Sequence, residues 1–370
     1  MKGSVSRDGD WTRRAILAGL AGSAFAADGQ DPVTFPTEAV RYSDPATELP
    51  VLRLTDPAHA SFLPTYSSHG VTRSGGSLVY ASDRTGAWQA YRMDLKTGRS
   101  LQLTEAADLD PSTLCQLYDE RGICYFDGPS LRQTVYSNLR TRDLYTVPEG
   151  WKRGQDLSIS VDGLYATFVE TRDRVCRLQL LPLAKPAATT ILESQETITE
   201  PVPRPRRAGI LYRGGTDALW LVNYDGQQNR RLRTAAGGLG PAHWSSDGRT
   251  VLYLSYPAEQ RKLNEIREHA PDSNSDQLVA PTSQFVSFSP NGDASVFAGA
   301  SSNKASPYVL ILLRVTKREL TVCEHRSSDP ASVAPLFSPD SQQVYFQSDR
   351  HGKPAIYSMG VDRLVEKTQT

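Results

Sequence analysis

Six histidines and a set of regularly placed arginines carry most of the chemistry this chain could do. His243 opens the segment HWSSDGRTVLYLSY (243–256), beside Trp244 and at the start of an apolar run. An imidazole there has the ordinary pKa of a general base. His59 precedes PTYSSHG (64–70) and His69 lies within it, His351 sits in a loop, and His269 and His325 lie near the ends of repeats. Their spacing is not that of zinc ligands. No H-E-x-x-H, G-x-S-x-G or phosphate-binding loop is present, which leaves zinc-protease, serine-hydrolase and nucleotide chemistry without support. Asp83 and Asp349 occupy equivalent S-D-R sites, where an aspartate organises its own turn rather than forming a catalytic pair. Cys115, Cys124, Cys176 and Cys323 make no C-x-x-C pair. Cys115 and Cys124 flank the turn DERG (119–122), consistent either with a cross-strand disulfide or with two buried thiols.

The cations recur at one place in a repeated pattern. Arg84, Arg132, Arg172, Arg174, Arg213, Arg261, Lys262, Lys304, Arg350 and Lys353 all follow an apolar run and precede the next one. If those loops share a face, every repeat gives it a positive charge, and arginine grips carboxylates with a two-pronged fork. The expectation is a basic rim that binds an acidic oligosaccharide, the alternative being ordinary exposed loop side chains, with the S-D-R arginines bracing the repeat. On the basic-rim reading Arg213 neutralises a carboxylate and His243 removes a proton; the alternative for His243 is a hydrogen-bonded structural histidine. Overall charge is balanced, with 41 Lys+Arg and 41 Asp+Glu, so there is no global case for nucleic acid.

The elements that must position these residues form a repeat. SDRTGAWQAYRMDLKTGRSLQLT (82–104) returns as SDRHGKPAIYSMGVDRLVEKT (348–368). Turns at 73–76, 119–122, 161–163, 204–209, 245–248, 289–292 and 338–341 lie about 41 to 49 residues apart, the period of a four-stranded propeller blade. Each turn precedes an apolar, β-branched or aromatic strand such as SLVYAS (77–82), and then a third strand such as YVLILL (308–313) or TVYSNL (134–139). The prediction is an all-β, seven-bladed β-propeller over 42–362. VLRLT (51–55) reads as the outer strand of the last blade, so the N-terminus closes the ring and hides two sheet edges. Residues 28–41 precede the propeller and 363–370 form a tail.

Residues 1–27 read as an export signal. Arg13-Arg14 precede a short apolar stretch that ends in Ala24-Phe25-Ala26, and paired arginines fit the twin-arginine route. The expected location is periplasmic or secreted. No stretch reaches the roughly 18 apolar residues of a membrane helix, so no membrane insertion is expected.

The pattern Y-x-x-D-x-x-T-G-x-x-x-x-L-T with S-D-x-x-G loops resembles the TolB-like β-propellers. ALWLVNYDGQQNRRL (218–232), HWSSDGRTVLYLSY (243–256) and PLFSPDSQQVYFQSDRHGKPAIY (335–357) more closely resemble the oligogalacturonate lyases, which degrade pectin fragments. The resemblance implies β-elimination: a base removes the C5 proton of a galacturonate, C4–O breaks, and a cation stabilises the carboxylate. In that family histidines and a glutamine hold a metal, and a histidine assisted by an arginine serves the proton. This chain has Ser332-Val333-Ala334 where the family has H-P-H, and Asp329 in place of its glutamine. It has Pro241-Ala242-His243-Trp244 for H-E-F-W, and Gln284 or Phe285 at the remaining metal histidine. A divalent metal is expected only with that set intact, so no cofactor is predicted. A non-catalytic propeller that holds a protein or peptide partner is the alternative.

Overall fold

The S-x-D-G turns are built by their own side chains. At the fifth, the Ser245 hydroxyl donates to Asp247 (2.7 Å) and accepts from the Thr250 N–H (3.0 Å), while Asp247 accepts from the Arg249 N–H (3.0 Å). The Ser160–Asp162 and Ser338–Asp340 turns repeat the hydroxyl–carboxylate bond. Gly248 is required there: its φ is +68°, and a Cβ would lie 2.1 Å from the Pro205 carbonyl oxygen.

Each of these turns joins the innermost strand of a blade to its second strand. The computed structural model describes residues 32–215, 218–259 and 262–366, and they form seven antiparallel sheets. Blade one contains Ser61–Phe62, Ser77–Ser82, Gln89–Asp94 and Ser100–Gln102, with Thr34–Phe35 on its outer edge. Blades two to six have four strands each, in chain order. Blade seven takes Leu336–Phe337, Gln343–Ser348 and Ala355–Gly360 from the C-terminal end, then Pro50–Arg53 and Val40–Ser43 from the N-terminal end. The fold is the predicted seven-bladed propeller. Closure runs through Val51↔Met359, Leu52↔Ser358 and Arg53↔Tyr357.

Sheet pairing begins at Thr34, ahead of residue 42, where the sequence places the first propeller strand. The third strand of blade two also differs: it is Ser130–Val135, not 134–139. Asp127 and Ser130 pair directly across a tight hairpin with Gly128 at φ +55°, so the strand starts four residues early. The export segment lies outside the described residues. Among the described residues no helix is long and apolar enough to cross a membrane.

The core is seven apolar layers, one between each pair of adjacent blades. Val79, Ala90, Ile123 and Tyr125 join blades one and two, for example, and Leu211, Trp244, Val251 and Tyr253 join four and five. All four cysteines are buried and free. Cys115 and Cys124 do face each other across the ladder, but as thiols, and Cys115 donates to the Leu157 carbonyl (3.1 Å).

The innermost strands come in two forms. In blades one, two and seven they are two residues long, with short 3₁₀ helices nearby at Tyr66–Ser68, Pro111–Thr113 and Pro330–Val333. In blades three to six they are longer, and each carries a bulge: between Arg153 and Leu157, Thr199 and Val202, Leu239 and Ala242, and Phe285 and Ser287. A bulge re-aims the side chains it displaces. Here that re-aiming builds the site.

Candidate functional site

Displaced bulge residues point into the axial channel. Asp156, Glu200, Gly240 and Val286 all line a cavity of about 1050 Å³, together with Tyr66, His69 and His243. The bulges are tied to one another. The Glu200 N–H donates to Asp156 (2.9 Å), with Glu200 held at φ +51°. Arg213 donates to Glu200 (3.1 Å) and to the Leu239 and Gly240 carbonyls (3.4 and 2.8 Å), and the Tyr256 hydroxyl donates to the Val286 carbonyl (3.2 Å). This collar links blades three, four, five and six. Burial raises the Asp156 pKa, with the Glu200 and Asp110 carboxylates adding to the effect and the Glu200 N–H opposing it.

His243 sits against the 3₁₀ turn of blade one. Its ring centroid lies 4.4 Å from that of Tyr66 and 5.0 Å from that of Phe288. Its Nε2 is 2.8 Å from the Phe288 carbonyl oxygen. A carbonyl only accepts, so Nε2 carries the proton and the lone pair is on Nδ1. Burial pushes the His243 pKa down to about 4, the carbonyl bond partly offsetting it. The imidazole is therefore neutral across the physiological range and a weak base.

A stability prediction follows from that shift. In the unfolded chain His243 binds a proton below about pH 6.5, but in the folded chain only below about 4. Its contribution to stability is complete above pH 6.5 and is lost as pH falls through 4, amounting to about 3 kcal/mol. His69 and His325 are lowered in the same direction by burial. Thermal melts at pH 7, 5 and 4 should show a falling midpoint, with a shallower fall in H243N.

The predicted cations do not form a rim around this cavity. Of the predicted cations among the described residues only Arg213 lines it, beside His69 and His243. Arg84 is 4% exposed, bonded to Glu38 (2.8 Å) and stacked over Phe35 and Tyr91. Arg350, 5% exposed, donates to the Glu324 carbonyl (2.5 Å) and lies over Tyr42. Both equivalent S-D-R arginines thus brace the N-terminal segment. Arg132 belongs to a strand and pairs with Asp143 and Asp127. Arg172 stacks on Trp151 (4.5 Å), and Arg174 and Lys304 are exposed. Arg261 lies outside the described residues. Asp156, Glu200, Tyr66 and Tyr256 were not singled out from the sequence.

Taken together, the seven sheets and the axial cavity define a seven-bladed β-propeller, and the TolB beta propeller domain model matches residues 208–368. Relatives over most of the length are lyases. The chain is 24% identical to the oligogalacturonide lyase of Pectobacterium atrosepticum, covering 88% of this chain and 96% of that one. It is 23% identical to the oligogalacturonate lyase of Dickeya dadantii, covering 85% and 94%. In fold it matches an oligogalacturonate lyase in complex with manganese, with a TM-score of 0.84, 23% identity and coverage of 89% and 98%. The oligogalacturonate lyase of Vibrio parahaemolyticus gives 0.83, 23%, and 90% and 99%. These comparisons support the resemblance read from the sequence.

The residues at the family's metal positions do not fit such an ion here. Ser332 and Ala334 replace imidazoles, and Asp329 accepts from the Ala331 N–H (3.1 Å) as the cap of its 3₁₀ turn. The Gln284 carboxamide oxygen is bonded to the Ser301 hydroxyl. Phe285 is fully buried, its ring against Gly299, where a Cβ would sit 2.3 Å away. Among the described residues, no group of three or more His, Cys, Asp or Glu side chains is placed to hold a metal.

Proposed function

We propose that this chain is an exported, lyase-type propeller that binds pectin-derived oligogalacturonides in its axial channel. The observation that carries the reading is the roughly 1050 Å³ cavity at the bulged inner strands, within a fold shared over nearly the whole length with oligogalacturonate lyases. Its size suits a short oligosaccharide. Binding is the activity this geometry supports best. Elimination at this site would run without a metal and would rely on His243 Nδ1 as proton acceptor, a role its lowered pKa disfavours. Calorimetry with short galacturonide oligomers, both free and methyl-esterified, should give saturable heat. No heat from any of them overturns the reading. The same mixtures should yield little or no ultraviolet-absorbing unsaturated product, whether or not manganese is added.

Export rests on Arg13-Arg14, the apolar stretch and Ala24-Phe25-Ala26. Mass spectrometry of protein made with its whole N-terminus should find a mature chain beginning near Asp28. Recovery of the chain with Met1 retained and confined to the cytoplasm overturns this part.

A further inference from the structure

The charge of the channel lining narrows the ligand further. Among the described residues the cavity presents four arginines, Arg206, Arg213, Arg249 and Arg314. It presents five carboxylates: Asp156, Glu200, Asp247, Glu268 and Asp293. Three of the arginines are already committed: Arg213 to Glu200 (3.1 Å), Arg314 to Glu268 (2.6 Å) and Arg249 to Asp247 (3.5 Å). Arg206 stands near Asp247 and helps hold that carboxyl below its ordinary range, after the Arg249 N–H and the Ser245 hydroxyl. Asp156 and Asp293 are satisfied by uncharged donors, the Glu200 N–H and the Ser295 N–H and hydroxyl. The lining thus carries one more carboxylate than guanidinium group.

A galacturonate carboxylate entering this space would lose water and meet other carboxylates, with three of the four guanidinium groups already engaged. Burial of an uncompensated charge is costly. The second route to compensation is not built either, because the positions where the resemblance puts metal ligands hold Ser332, Ala334, the capping Asp329 and either Gln284, bonded to Ser301, or the buried Phe285. A methyl ester has neither problem. It carries no charge, asks only for hydrogen-bond donors, and can set its methyl group against the apolar lining at Tyr66, Leu239 and Val286. We propose that the channel selects galacturonides whose carboxyls are methyl-esterified over the free acids. The proposal rests on the saccharide reading above and adds the chemical form of the sugar.

Calorimetry on the full mature chain, with fully esterified and fully de-esterified galacturonide trimers at low salt, tests it. The ester should bind at least about tenfold more tightly. Any free-acid binding should hold steady or strengthen as salt is raised, because salt screens repulsion as well as attraction. D156N keeps an oxygen to accept the Glu200 N–H, and it should improve free-acid binding about threefold or more. Equal or tighter binding of the free acid by the unmodified protein, or free-acid binding that weakens with salt, overturns the proposal and leaves the saccharide reading standing. If neither trimer binds, the saccharide reading itself falls.

Discussion

A chain that starts at residue 56 should fail to fold, while one that starts at residue 33 should melt cooperatively. The difference between them is the ring closure. Residues 33–55 supply the two outer strands of blade seven and the fifth strand of blade one. Removing them exposes the edge of Ala355–Gly360 and the three residue pairs it makes with Pro50–Arg53, plus the bond from the Leu54 N–H to the Ile356 carbonyl (2.7 Å). Val51 and Leu54 leave the core, and Tyr42, Leu49 and Leu52 leave its margin. At about 1.5–3 kcal/mol for each fully buried side chain, and less for the marginal ones, the loss is roughly 8 kcal/mol. That is comparable to the whole stability of a typical domain. Arg84 would also lose Glu38, and Arg350 would lose Asp44 and Tyr42, leaving two largely buried guanidinium groups uncompensated. Circular dichroism melts and size-exclusion profiles of the two chains make the comparison. A shorter chain that melts sharply within a few degrees of the longer one would show that closure is dispensable.

What could be read ahead of the structure was what local chemistry determines. The S-x-D-G turns are made by residues two to five positions apart, so their spacing alone revealed the blades and their number. Closure was legible because VLRLT repeats the outer-strand wording of blade one. Bracing was one reading of the S-D-R arginines Arg84 and Arg350, but their partners were not legible, because Glu38 and Asp44 are 46 and 306 residues away along the chain. A loop arginine without its partner in view looks like a ligand for solvent or substrate. The blade-two strand was misplaced although Asp127-Gly128 is a strong hairpin signal. The channel lining was hidden for a different reason. Alternation says which residues of a strand face inward, but a bulge inserts residues and changes that phase. Asp156 and Glu200 therefore reach the cavity from positions that no period singles out.

Arg213 is where the sequence reading and the structure give different expected results, and R213A separates them. A carboxylate clamp for substrate is free in the empty protein, so its removal costs affinity and leaves stability alone. The observed side chain is 13% exposed and spans two blades, from Glu200 in blade four to the Leu239 and Gly240 carbonyls in blade five. Truncation would leave Glu200 beside Asp156 without that cation, on a backbone held at positive φ, and would strip both carbonyls of a charged donor. Charge-assisted bonds of this kind are worth more than neutral ones, but Glu200 is half-exposed, so water recovers part of the loss. The expected cost is about 2 kcal/mol, a fall of several degrees in Tm. R213K should recover less than half of it, because a single ammonium cannot reach a carboxylate and two carbonyls at once. Binding of the esterified and free-acid trimers should weaken together as the collar loosens. Unchanged Tm with selective loss of the free acid would restore Arg213 to the substrate and make the channel a site for anions after all.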